Sequence, residues 1–92
     1  MFREEFGESN WRTFYEIAKH ESNFNPKAFN PESHKTCNGS YGVMQVACIN
    51  YKGNPNDLYD IKTNLKVAHE IFLSQGFGAW KNVCKKIGCG VK

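Results

Sequence analysis

Glu21 closes a stretch whose apolar residues recur on helical spacing. Phe14, Ile17 and Ala18 precede it by seven, four and three positions, so its carboxyl belongs to the same stripe as the core side chains. Burial disfavours a carboxylate, and a Glu whose pKa is raised toward neutrality can hand a proton to a leaving group. The segment that follows, from Ser22 to Tyr41, has no periodicity and carries Asn25-Pro26, Asn30-Pro31 and Asn38-Gly39. It leads into a tight glycine turn, Gly39-Ser40-Tyr41-Gly42-Val43-Met44-Gln45-Val46. A long irregular segment in a domain this small is more often a binding loop than filler.

The elements that must position this acid read as helices throughout, and the expected class is all-α. Ser9 or Asn10 can cap a first helix whose Trp11, Phe14, Tyr15, Ile17 and Ala18 point inward, while Arg12, Glu16 and Lys19 form its outer face. Pro26 is expected to end it, because a residue before proline is steered away from helical angles. Val43 to about Cys48 reads as a short helix started by Gly42, and Asn50 to Tyr59 as a loop marked by Gly53-Asn54-Pro55-Asn56. Asp57 or Asp60 can cap a third helix that turns Ile61, Leu65, Ala68, Ile71 and Phe72 inward and stops at Gly76. A last helix spans Ala79 to Ile87, with Gly88 just past its end.

The 92 residues make a single domain, 1–92, with one core that gains from cross-links. Cys37, Cys48, Cys84 and Cys89 allow three complete pairings. The expected one joins Cys37 to Cys48, stapling the loop to the segment after the glycine turn, and Cys84 to Cys89, closing the C-terminal end; four buried free thiols are the alternative. Zinc is disfavoured because no Cys-x-x-Cys knuckle occurs, and neither a metal nor a cofactor is expected. The formal charge of +3, with Lys81, Lys85, Lys86 and Lys92 gathered toward the C-terminus, suits an anionic polymer, whether cell wall, nucleic acid or lipid. No apolar run approaches the length of a membrane span, and Met1-Phe2-Arg3-Glu4-Glu5 lacks the apolar core of a leader. Export would then need a leader already removed or another route such as host lysis.

Glu21-Ser22 at a helix end, Asn25-Pro26 just beyond and Gly42-Val43-Met44-Gln45 further on resemble the signature of the lytic transglycosylase (SLT-type) domain of the goose-type lysozyme-like superfamily. The likeness runs through residues 17 to 46, and Asp60, Asn64 and Ala68 match the cap and inner face of a later family helix. It implies a small lysozyme-like helical domain with a long cleft-lining loop after the first helix, acting on the MurNAc-GlcNAc β-1,4 bond of peptidoglycan. By the same resemblance Glu21 is the catalytic acid and Met44 and Gln45 line the sugar cleft. Asn30 stands where the family often has a serine that touches the acetamido group, and Ser40 and Tyr41 belong to the turn that shapes the cleft floor. Two departures stand out. The family's Ala-Tyr-Asn-x-Gly segment, whose tyrosine reaches the acid, corresponds here to Gly76-Phe77-Gly78-Ala79-Trp80, so that partner is either missing or replaced by Tyr41, Tyr51 or Tyr59. The loop before the turn is also longer than the family's and carries Cys37.

The chemistry of the residues agrees with that likeness. Cleaving a glycosidic bond takes a proton donor at the leaving oxygen and stabilisation of an oxocarbenium-like centre. Ordinary hydrolases add a second carboxylate, for which Glu32, Asp57 and Asp60 are the candidates, but the two aspartates read first as turn and helix caps. A single-Glu route fits better, with the substrate's N-acetyl group assisting. Glu21, once ionised, would then deprotonate the sugar's own primary hydroxyl to give an anhydro product, or activate water in a lysozyme. Gln45 has a structural reading as a partner for buried backbone groups, and Trp11 and Trp80 read as core before sugar platforms. His20, His34 and His69 are scattered and read as surface or loop residues. The expected partner is the peptidoglycan glycan strand, with no nucleic acid and no membrane span. The expected state is a monomer, secreted to the wall or periplasm or delivered by phage. A glycan-binding module without turnover is the rival reading, which a turbidity assay on cell walls separates.

Overall fold

The computed structural model describes residues 1–33 and 36–89; His34 and Lys92, named above, lie outside them. The central helix forms where the apolar spacing requires it. Helix α2 (Trp11–Ser22) buries Phe14, Ile17 and Ala18 completely, whereas Tyr15 stays exposed. A shorter helix, α1 (Phe2–Phe6), precedes it, so the acid closes the second helix of the chain and not the first. Phe6 stacks on Phe14 with ring centroids 3.9 Å apart, and Glu5 Oε2 meets His69 Nδ1 at 2.9 Å, which ties α1 to the third helix. Asn10 occupies the N-cap of α2 but makes no side-chain cap hydrogen bond.

Helix α2 ends before Pro26 can act. Asn23 adopts left-handed angles, φ 54°, and its N–H donates to the Lys19 carbonyl, a short polar side chain in the conformation such residues tolerate best. Phe24 follows with φ 62°, and the Asn25 side chain accepts from the Lys27 N–H to complete the reversal.

The expectation of an all-α chain is corrected by a three-stranded antiparallel sheet in the order β1-β2-β3: Phe29–Ser33, Asn38–Tyr41 and Val46–Ala47. The stretch from Val43 to Cys48 is accordingly not a helix; it turns at Gly42–Gln45, pairs as β3 and passes into a 3-10 turn at Cys48–Asn50. The strands are short and mostly polar, so the alternation that marks a half-buried strand is missing from the sequence. Backbone pairing holds them. Phe29 faces Tyr41 and Asn30 faces Ser40 across β1 and β2; Ser40 faces Ala47 and Tyr41 faces Val46 across β2 and β3. One extra residue on β1 between Asn30 and Ser33 makes a bulge, a setting that tolerates Pro31 because proline has no N–H to pair.

Asp60 caps α3 (Ile61–Gln75), its carboxylate accepting from Thr63 N at 3.0 Å and Thr63 Oγ1 at 2.9 Å. The helix stops at Gly76, as its sequence requires. A 3-10 turn, Gly76–Trp80, takes the first part of the expected last helix and leads to α4 (Lys81–Ile87). Phe14, Ile17, Leu58, Leu65 and Ala68 form the centre of one core, and Trp80 packs edge-on to Phe14 with centroids 5.9 Å apart. Both expected bridges are present, Cys37–Cys48 and Cys84–Cys89.

Candidate active site

Three local devices bring the end of α2 against the glycine turn. Ser22, next to Glu21, donates its hydroxyl to the Val43 carbonyl at 2.8 Å, and Gly42 N donates to Ala28 O at 2.8 Å. Gly42 has φ +79°, and a Cβ there would overlap the Asn64 amide and the Leu58 carbonyl, so the turn admits no side chain at that position. Asn64 is fully buried on α3. Its Oδ1 accepts from Met44 N at 2.9 Å, and its Nδ2 donates to Tyr41 O and Leu58 O at 2.8 and 2.9 Å. One buried amide therefore partners three backbone groups, which explains a polar residue on the inner face of that helix.

The result is a cavity of about 330 Å³ with Glu21 in its wall. The sheet contributes one side. Asn30, Ser40 and Ala47 are cross-strand neighbours in a single row, and all three face the cavity, joined by Glu32 from the bulge of β1. Ser40, 5% exposed, donates its hydroxyl to Glu32 Oε1 at 3.1 Å. Asn50 after β3, Ile71 on α3 and Asn82 on α4 line the cavity too. Gln45 also lines the cavity; it has φ 51°, and its Nε2 donates to Ala28 O and Gly42 O, so it both borders the space and ties down the loop.

Glu21 is half-buried here, and its pKa is raised from 4.5 to about 7, first by burial and then by the negative charge of Glu32. No lysine or arginine pairs with it among the described residues. A carboxyl that is part protonated near neutral pH and opens onto a polar cavity can give a proton to a bound oxygen and take one back.

Four of the six residues singled out by sequence thus meet at one cavity: Glu21, Asn30, Ser40 and Gln45. Met44 does not face it. Its side chain is fully buried in the core, and its carbonyl accepts from Trp80 Nε1 at 2.8 Å, which corrects the expectation that Met44 lines the cleft. Tyr41 is likewise turned away: it alternates with Ser40 along β2, packs against Phe29 and Tyr59, and donates its hydroxyl to Asn38 O. Tyr51 donates its hydroxyl to Asp57 Oδ2 at 2.8 Å. None of Tyr41, Tyr51 and Tyr59 borders the cavity, so none takes the place of a tyrosine beside the acid. Of the three candidate second carboxylates, only Glu32 reaches the cavity, because Asp57 is engaged by Tyr51 and Asp60 by Thr63. Asn50 and Asn82 carried no signal: Asn50 opens a loop, and Asn82 lies within a helix whose apolar partners drew the reading. His20 is exposed, and His69 is held by Glu5. Trp80 is buried in the core and also borders the cavity, and Trp11 lies half-buried beneath the guanidinium groups of Arg3 and Arg12.

A family model described as the transglycosylase SLT domain matches residues 2–86. No curated protein and no solved structure matches the chain. The matched span takes in every element around the cavity, from α2 and its glutamate through the sheet to α3 and most of α4, and the chain belongs to the transglycosylase SLT domain family.

Proposed function

We propose that the protein cleaves the β-1,4 bond between MurNAc and GlcNAc in peptidoglycan strands by lytic transglycosylation, with Glu21 as general acid and then general base. The observation that carries this reading is the Glu21 carboxyl, raised to about 7 in the wall of a polar cavity, in a chain of a family named for transglycosylases. In the first step Glu21 gives its proton to the bridging oxygen as the bond from the muramyl C1 breaks, and the substrate's N-acetyl oxygen supports the positive charge at C1. In the second the Glu21 carboxylate takes the proton of the muramyl C6 hydroxyl while that oxygen bonds C1, giving a 1,6-anhydro end. A tethered hydroxyl has a large effective-concentration advantage over free water, which favours ring closure. Asn30, Ser40 and Gln45 would border the sugar, with Asn30 toward the acetamido group. Because the substrate is wall polymer, the site of action is the wall or periplasm, reached by secretion or phage delivery, and the enzyme works as a monomer.

A turbidity assay on purified cell walls tests the reading against a binding module without turnover. Wild-type protein should clear the suspension and Glu21→Gln should bind the walls without clearing it. Undiminished clearing by the variant, or none by the wild type, would sink the proposal.

A further inference from the structure

The bulge in β1 places an acid where a single-glutamate route has no use for one. Pro31 has no N–H to give the ladder, the register shifts by one residue at Pro31-Glu32, and Glu32 there accepts from the Ser40 hydroxyl. Bulges recur beside active sites because they re-aim a side chain. The Ser40 contact orients Oε1 of Glu32, and Oε2 carries no hydrogen bond among the described residues, so one oxygen is anchored and the other is free to accept. Glu21 and Glu32 border the same cavity from different elements, helix and sheet, and no hydrogen bond joins them. The Glu32 charge opposes that of Glu21, in keeping with two carboxylates that border one cavity. Where two carboxyls share a cavity without bonding each other, one can hold a water at the sugar while the other serves as acid. The cavity, about 330 Å³, is large against the roughly 30 Å³ a water occupies.

We propose that Glu32 is a second catalytic carboxylate, which holds and deprotonates a water so that part of the turnover ends in hydrolysis instead of ring closure. The inference rests on Glu21 acting as the acid, since both branches open with the same proton transfer to the bridging oxygen. In the hydrolytic branch the water oxygen bonds C1, its proton passes to the Glu32 carboxylate, and the hydroxyl left on C1 becomes a reducing end. Glu32 then releases that proton to solvent, from which Glu21 is reprotonated. Atoms and charge balance with water as the only co-reactant. Glu32 is thereby a determinant of product, setting the ratio of reducing to 1,6-anhydro ends.

The test is digestion of purified peptidoglycan, followed by borohydride reduction and mass spectrometry against an undigested control. Reducing ends appear as alditols, and anhydro ends survive unchanged. Wild-type enzyme should release both. Because a positioned base contributes roughly 10²–10⁴-fold, Glu32→Gln should lower the share of alditol ends at least about tenfold while anhydro ends form at a rate within a few-fold of wild type. Ser40→Ala, which frees Glu32 to rotate, should lower that share by a smaller factor. An unchanged ratio in Glu32→Gln, equal loss of both products in that variant with its circular-dichroism spectrum intact, or a wild-type digest with no new alditol ends would each overturn the role of Glu32. Cleavage surviving in Glu21→Gln would instead overturn the reading on which it rests.

Discussion

Replacing Glu21 by Gln should stabilise the fold above neutral pH and leave it almost unchanged in acid. The carboxyl titrates at about 7 in the folded chain against 4.5 for an ordinary Glu, because burial and then Glu32 oppose its charge. Below 4.5 it is protonated in both folded and unfolded chains and adds nothing to the pH dependence. Between 4.5 and about 7 the unfolded chain releases the proton while the folded chain keeps it. The folded state then binds more protons, so wild-type stability falls as pH rises through that window, and the whole penalty is present above it. At about 1.4 kcal/mol for each pH unit, the ceiling is about 3.5 kcal/mol, and access of water to the half-buried carboxyl brings the expected value nearer 2. Gln has the same shape without the charge and escapes the penalty. In urea melts the stability of Glu21→Gln relative to wild type should therefore grow by about 2 kcal/mol between about pH 4 and about pH 8. For a chain of this length that corresponds to a gain of roughly 8–16 °C in Tm. A difference that stays constant within about 0.5 kcal/mol across that range would refute the claim that Glu21 is held protonated by its surroundings.

The same titration sets the catalytic pH profile: activity should fall as pH rises through about 7, and a flat profile into mild alkali would count against Glu21 as the proton donor. Asn64→Ala strips partners from Met44 N–H and the Tyr41 and Leu58 carbonyls, so denaturant melts should show a loss of about 3 kcal/mol or more; a loss under about 1 kcal/mol would mean that the glycine turn does not depend on that amide. Opening Cys37–Cys48, 11 residues apart, with a double Ser substitution should cost about 2–3 kcal/mol through the freed unfolded chain, read as a lower Tm, and an unchanged Tm would contradict it.

What the sequence made legible was whatever rests on side-chain periodicity or local capping. The stripe of Phe14, Ile17 and Ala18, the Asp60 cap and the stop at Gly76 all follow from short-range rules, and the structure has each of them. Four residues of the cavity were readable because they flank the helix end and the glycine turn. The sheet was not, since Phe29-Asn30-Pro31-Glu32-Ser33 is polar and proline-broken, and its pairing depends on partners several residues away. That gap produced the error at Tyr41, whereas Met44 lies in the turn between β2 and β3 and its side chain enters the core. Along a strand successive side chains face opposite ways, so Ser40 meets the cavity while Tyr41 turns from it, and a reading without the strand cannot separate them. Glu32 was readable only as one of three candidate carboxylates, because its place beside Ser40 depends on the pairing of β1 with β2.

The most direct measurement of the proposed chemistry is mass spectrometry of the fragments released from purified peptidoglycan by wild-type enzyme and by Glu21→Gln. Wild type should release muropeptides with 1,6-anhydromuramyl ends, and the folded variant should release none. New fragments bearing only reducing ends would contradict transglycosylation, and anhydro fragments released equally by the variant would contradict Glu21 as the group that moves the proton.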